Sequence, residues 1–225
     1  MHWAQNRKSL PESMTDKRGV LCVFTKAPVV GQVKTRLFPV LGPEKATDLY
    51  RTLLAKTLAT ACSSNISRVQ LYCSPDTSHI ELQNYSKTYE LQLKTQTGKS
   101  LGEKMNHALE QGLCEFDYAL VLGCDCPWLS IDDLNTAYRG LEQGSDAVLG
   151  PAKDGGYYLL GLTSPQPDLF NSMQWETSLV LKETRLRMRK ARLDWFELNE
   201  YQDVDVPEDL AAYVQLMKDR FSAKR

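Results

Sequence analysis

Ala119-Leu120-Val121-Leu122-Gly123-Cys124-Asp125-Cys126-Pro127-Trp128-Leu129 decides the fold: an apolar run stops at a glycine, delivers one carboxylate and is closed by a proline. An apolar run of about four to eight residues bounded by turn formers reads as a buried strand. Asp125 then falls at the carboxyl end of a sheet strand, where open α/β sheets place their ligands. The competing reading is that Asp125 only forms a turn or caps the next helix. Ser130, with Asp133 after it, already supplies a capping box for that helix, which leaves Asp125 without a structural task.

Working outward, short apolar runs predict strands at Val20 to Thr25, Val69 to Cys73, Tyr89 to Leu93, Ala147 to Leu149, Tyr157 to Leu162 and Asp194 to Leu198. Helical spacing predicts helices entered at Gly42-Pro43, over Leu101 to Leu113, over 131–143, over 176–192 and over Pro207 to Phe221. Strands alternating with helices indicate a three-layer α/β/α sandwich with a mostly parallel mixed sheet, and the close spacing of the fifth and sixth strands suggests an antiparallel element there. Residues 1–19 are polar, without an apolar signal core, and read as a disordered segment before a single domain over 20–225.

With 42% hydrophobic residues among 225, the chain can bury one substantial core. Its 27 Lys and Arg against 28 Asp and Glu leave a formal charge of -1, which favours neither nucleic acid nor an anionic membrane as partner. The basic run Lys182, Arg185, Arg187, Arg189, Lys190 and Arg192 reads as a solvated helix face ahead of a phosphate patch. No stretch reaches the ~18 to 20 apolar residues of a membrane span. The six cysteines show no disulfide-framework spacing, so the chain reads as reduced and cytoplasmic. Cys124-x-Cys126 lacks a second ligand pair at zinc spacing.

Three further segments carry candidate chemistry. Lys26 to Leu37 holds Lys26, Lys34 and Arg36 with Gly31 directly after the first strand; such a loop can wrap phosphates, the glycine admitting close backbone approach and the cations giving charge-assisted hydrogen bonds. Gly98-Lys99-Ser100 lacks the earlier glycine of a Walker loop and is set aside. Gly150-Pro151-Ala152-Lys153-Asp154-Gly155-Gly156 is a hairpin turn on one reading; on the other it sets Asp154 at the mouth of the sheet as a proton acceptor. Asp203-Val204-Asp205-Val206-Pro207 offers two carboxylates before a helix, and one of them with Asp125 would suffice for a magnesium ion completed by substrate phosphates.

Together and in this order, K-A-P-V-V-G-Q-V-K-T-R-L from Lys26, L-G-E-K-M from Leu101, L-G-C-D-C-P from Leu122, G-P-A-K-D-G-G-Y-Y-L-L-G-L from Gly150 and D-V-D-V-P-E-D-L from Asp203 resemble the nucleotide-diphospho-sugar transferase superfamily with the glycosyltransferase-A fold. The closest resemblance is to a bacterial glycosyltransferase-like branch, some members of which are named for arsenosugar biosynthesis. It implies Mg2+ or Mn2+ on Asp125 and Asp205, and nucleotide or phosphate contacts from Lys26, Gly31, Lys34, Arg36, Gly123, Gly155 and Gly156. The glycine-rich A-x-G-x-G-x-R start of the related nucleotidyltransferases is replaced by Thr25-Lys26-Ala27-Pro28, and D-x-P stands at Asp125 where D-x-D is common in glycosyltransferases.

Two activities fit these residues. In glycosyl transfer a nucleotide sugar gives its sugar to a small-molecule acceptor, with Asp154 as base; in nucleotidyl transfer a phosphorylated acceptor attacks a nucleoside triphosphate and pyrophosphate leaves, with Lys34 and Arg36 neutralising the charge. A nucleotide-binding module without turnover is the third reading, and it would leave Asp154 without a role.

Overall fold

The computed structural model describes residues 19–175 and 177–222, so the expectation of a disordered segment falls, except for Gly19, outside the described residues. Gly19 itself opens the first strand, because the strand keeps pairing one residue before its apolar run begins.

Seven strands form one sheet: β1 (Gly19–Lys26), β2 (Arg68–Ser74), β3 (Gln92–Thr95), β4 (Tyr118–Leu122), β5 (Ala147–Pro151), β6 (Tyr157–Leu162) and β7 (Trp195–Glu197). Their spatial order is β3-β2-β1-β4-β6-β5-β7, and β6 alone runs antiparallel, against β4 and β5. The helices are α1 (Phe38–Cys62), α2 (Ile80–Tyr89), α3 (Leu101–Glu115), α4 (Ile131–Glu142), α5 (Val180–Lys190) and α6 (Asp209–Ser222). Among the described residues no helix is long and apolar enough to cross a membrane.

The strands' alternation builds two cores. On β1, Leu21 and Val23 face one side and Val20 and Cys22 the other; on β4, Leu120 and Leu122 oppose Ala119 and Val121. The first set packs with Leu54 and Leu58 of α1, Leu82 of α2 and Leu134 and Ala137 of α4. The second packs with Met105 and Leu109 of α3 and Leu181 and Met188 of α5. Leu120 is fully buried at the centre, and truncating such a side chain to alanine costs about 2–5 kcal/mol. The chain winds outward through β1, β2 and β3, then returns to set β4 on the other flank of β1. That reversal moves the covering helix to the opposite face, as right-handed crossovers require, and opens a crevice where β1 and β4 end.

Four boundaries differ from the sequence reading. Residues 80–89, not read as helical, form α2, which ends at Glu90 in the left-handed conformation (φ 54°) and displaces β3 to Gln92. Helix α1 begins at Phe38 and is interrupted at Gly42 (φ 72°, ψ 166°), so Gly42-Pro43 is a kink within it. Helix α5 starts at Val180, after a turn in which Thr177 Oγ1 donates to Gln174 O at 2.9 Å, and residue 176 lies outside the described residues. Helix α6 starts at Asp209, whose Oδ2 accepts from the N–H groups of both Asp205 and Val206 at 2.8 Å.

Candidate functional site

Four segments meet at the β1/β4 crevice. The first is the loop after β1. The Tyr50 hydroxyl of α1 bonds Thr25 Oγ1 at 2.8 Å, accepts from the Lys26 N–H at 2.7 Å and receives the Cys124 thiol at 3.4 Å, so a single phenol ties the ends of β1 and β4 together. Gly31 turns the loop at φ 86°, and Lys34 follows in the left-handed region at φ 51°, a conformation that a side-chain-bearing residue keeps only when its surroundings hold it.

The second segment is the end of β4. The capping box expected for α4 is present, with Ser130 Oγ accepting from Asp133 N and the Asp133 carboxylate accepting from Ser130 N; Asp125 is indeed left to face the crevice.

The third is Tyr201 to Asp205. Tyr201 exchanges backbone hydrogen bonds with Pro151 and Lys153 and donates its hydroxyl to Asp133, while Val204 N donates to the Asp125 carbonyl at 3.0 Å. Val204 is fully buried, so in this extended stretch Asp203 and Asp205 fall together on the opposite, crevice side. The fourth is the β5–β6 loop, in which Asp154 Oδ1 accepts from Gly156 N at 2.8 Å and Oδ2 is without a partner among the described residues.

These segments place Lys34 Nζ 2.8 Å from Asp125 Oδ1 and 3.6 Å from Asp205 Oδ1, while Arg36 holds Asp205 Oδ2 at 2.7 Å. The Lys34 side chain is 3% exposed. Burial opposes its charge, but Asp125 and Asp205 outweigh that, and its pKa stands above the ordinary ammonium range. At 2.8 Å the Asp125 contact is a close, charge-assisted ion pair, and the Asp205 contact at 3.6 Å is purely electrostatic.

Asp203 is the residue the sequence left undecided. Its Oδ1 is buried without a hydrogen-bond partner, and burial first, then the charges of Asp125 and Asp154, push its carboxyl up to about 7. The signal was the Asp-Val-Asp alternation, which sets both carboxylates on one side once Val204 is in the core.

Two lobes open on either side of this cluster. The wider, of about 640 Å³, runs past Arg36, Asp154 and Trp175; the narrower, of about 340 Å³, runs past Phe24, Gln96 and Gly123; Lys26, Lys34, Asp125, Asp203 and Asp205 line both. The structure therefore gathers Lys26, Lys34, Arg36, Asp125, Asp154 and Asp205 at one cleft. The N–H groups of Gly123, Gly155 and Gly156 already donate to Tyr158 O, Ala152 O and Asp154 Oδ1, so these glycines shape the cleft walls. Gln96 was unmarked in the sequence: its amide nitrogen donates to Thr25 O and Tyr72 O, leaving Oε1 as an acceptor fixed in the narrow lobe.

Other sequence features resolve structurally. Cys124 and Cys126 lie in the core, where burial pushes both thiols up to about 12. The basic run of α5 makes clips: Arg185 grips Glu197, and Arg187 holds Glu183 and the carbonyls of Asp168 and Leu169. Ser100 of the Walker-like fragment caps α3.

Asp125, Asp203 and Asp205 are hard oxygen donors suited to a magnesium-type ion, and the orphaned Asp203 Oδ1 is an unmet demand for positive charge beside them. Among the described residues no three His, Cys, Asp or Glu side chains are gathered closely enough to hold a metal ion by themselves. A magnesium ion needs no such gathering when substrate phosphates complete its shell, so the donor set fits.

Comparison with known proteins follows the same lines. No functionally curated protein matches the chain. A provisionally named nucleotide-diphospho-sugar transferase of Desulfovibrio desulfuricans shares 32% identity over 84% of this chain and 82% of its own, with a TM-score of 0.77. A CMP:2-keto-3-deoxy-manno-octonic acid synthetase complexed with CTP shares the fold at 12% identity, with a TM-score of 0.55 over 90% of this chain and 99% of its own. So does a manganese complex of a Mycobacterium tuberculosis protein, at 13% identity and a TM-score of 0.55 over 87% and 97%. Residues 57–177 match the model of a family described as uncharacterized protein conserved in bacteria. With more than half its length so matched, the chain belongs to the DUF2064 family, built on the nucleotide-diphospho-sugar transferase fold.

Proposed function

We propose that the protein is a divalent-metal-dependent glycosyltransferase that moves a sugar from a nucleotide diphosphate to the hydroxyl of a small acceptor. The nucleoside occupies the narrow lobe against Phe24 and Gln96, the diphosphate lies over Lys34 and Arg36, and the sugar and acceptor fill the wider lobe. Asp125 and Asp205, with Asp203 behind them, hold the metal, which when bound supplies positive charge to the diphosphate oxygens.

The chemistry divides among the chain's own residues. Breaking the bond between the anomeric carbon and the diphosphate sends its electron pair to the phosphate oxygen, where Lys34 and Arg36 offset the developing charge. The acceptor oxygen bonds the anomeric carbon, and its proton passes to Asp154 Oδ2. The observation that carries the proposal is that free carboxylate oxygen in the wider lobe. A hydroxyl acceptor needs a base; the already anionic phosphate nucleophile of a nucleotidyl transfer does not. The relative from Desulfovibrio desulfuricans supports the donor class through its name.

Nucleotidyl transfer is the second reading, favoured by the two cations gathered at Asp205 and by the single strand-end carboxylate of Asp125-Cys126-Pro127. Product analysis separates the two. The protein is incubated with Mg2+ and a panel of nucleoside triphosphates and nucleotide sugars. Release of nucleoside diphosphate is the expected result; release of pyrophosphate refutes glycosyl transfer.

A further inference from the structure

The segment Leu101-Gly102-Glu103-Lys104-Met105 belongs to neither the cation-carboxylate cluster nor the β5–β6 loop. Part of it starts α3: Ser100 Oγ accepts from Glu103 N, and Glu103 Oε2 accepts from Lys99 N at 2.9 Å. Gly102 has a different task. A Cβ there would overlap the indole of Trp175, so only glycine lets that ring lie against the first turn of α3. The indole also stacks on Phe170, with centroids 6.3 Å apart and planes 19° from parallel.

Held in this way, Trp175 joins Leu101 and Met105 as an apolar wall of the wider lobe. Leu101, 45% exposed, stands where the two lobes meet and borders both, a large apolar side chain left facing solvent inside a cleft. Thr177, Ser178 and Asp154 also line the lobe; the Thr177 hydroxyl already donates to Gln174 O at 2.9 Å and retains only acceptor capacity, while Asp154 Oδ2 is open.

We propose that the wall formed by Trp175, Leu101 and Met105 binds a sugar ring, with Trp175 as the contact surface and Gly102 as the positioning residue that seats it; this deepens, and rests on, the transfer reading above. A sugar ring has an apolar face of C–H bonds and a rim of hydroxyls. Its C–H face suits the electron-rich indole, and its rim suits Thr177, Ser178 and Asp154. Nucleobase edges are read by fixed polar groups of the kind Gln96 offers in the narrow lobe.

The test follows the indole N–H resonances of the full chain with Mg2+ and a saturating nucleoside diphosphate, while methyl α-glucoside, methyl β-galactoside and N-acetylglucosamine are titrated in. The Trp175 signal is assigned by its loss in Trp175→Phe. At least one sugar is expected to shift it, and Gly102→Ala is expected to weaken that sugar about tenfold while changing nucleotide affinity less than about twofold. Trp175→Ala, which adds no bulk and is read by saturation transfer to the sugar protons because it has no indole to report, should give the same loss if Gly102→Ala does not fold. Nucleotide binding with no sugar response, or sugar binding undiminished in Trp175→Ala, overturns the inference and leaves the transfer reading standing. A Trp175 signal shifted by the nucleoside itself overturns it too, by making the wall a base site. Failure of every nucleotide to bind removes the transfer reading and the inference with it.

Discussion

Removing a cation should tighten the binding of another cation at this site. Lys34 Nζ stands 2.8 Å from Asp125 and 3.6 Å from Asp205, so in the ligand-free protein it neutralises the two carboxylates proposed to hold the metal. For the Asp125 pair alone, Coulomb's law gives about 1.5 kcal/mol at the dielectric of water and about 6 kcal/mol at an effective value of 20. The carboxylates are 40% and 41% exposed, which favours the lower figure. Since about 1.4 kcal/mol is tenfold in affinity, Lys34→Met should bind Mn2+ about tenfold more tightly than the wild type without nucleotide. The same variant should bind the metal-nucleotide complex more weakly, having lost a phosphate contact. Free Mn2+ measured by electron paramagnetic resonance reads the first effect, with Arg36→Met as control: Arg36 is 64% exposed and among the described residues pairs with Asp205 alone, so its effect should be smaller. An unchanged or weaker Mn2+ affinity in Lys34→Met refutes the competition of Lys34 with the metal.

Asp203→Asn should stabilise the metal-free protein in a pH-dependent way. Its carboxyl is raised to about 7 in the fold against about 3.9 in the unfolded chain, so the folded state binds the extra proton and loses stability as pH climbs between those values. The cost is nil below about pH 4 and reaches at most ~4 kcal/mol above pH 7. Urea unfolding in EDTA should show the asparagine variant gaining about 2–3 kcal/mol more at pH 8 than at pH 5, and an equal gain at both would count against the buried charge. Gly155→Ala should destabilise by more than about 1 kcal/mol, because φ is 89° there and a Cβ overlaps the Ser178 carbonyl. A melting temperature within about 1 °C of the wild type would contradict that packing.

The sheet was legible where burial is continuous. The run Tyr118 to Leu122 is inaccessible on both faces, so composition alone marks it as a strand, and the short span from β5 to β6 announced the antiparallel pair there. Helix α2 was not legible, since only Leu82 is fully buried along it and its pattern carries little periodicity. The site followed the same rule. Asp125, Asp154 and the cations stand beside glycines and strand ends that mark them in the sequence, whereas Gln96 and Trp175 lie in loops and owe their places to distant contacts with Tyr72 and Gly102. The burial of Asp203 was not legible either, since it follows from Tyr201 and Val204 fastening the segment from both sides.

The central claim is that Asp125 anchors a metal-bound nucleotide at the end of β4. Its most direct test is calorimetric titration of a nucleoside di- and triphosphate panel into wild type and Asp125→Asn, with Mg2+ and with EDTA. Expected is binding of at least one nucleotide by the wild type that requires Mg2+ and falls at least about tenfold in Asp125→Asn. Binding that ignores Mg2+, or that survives intact in Asp125→Asn, would contradict it.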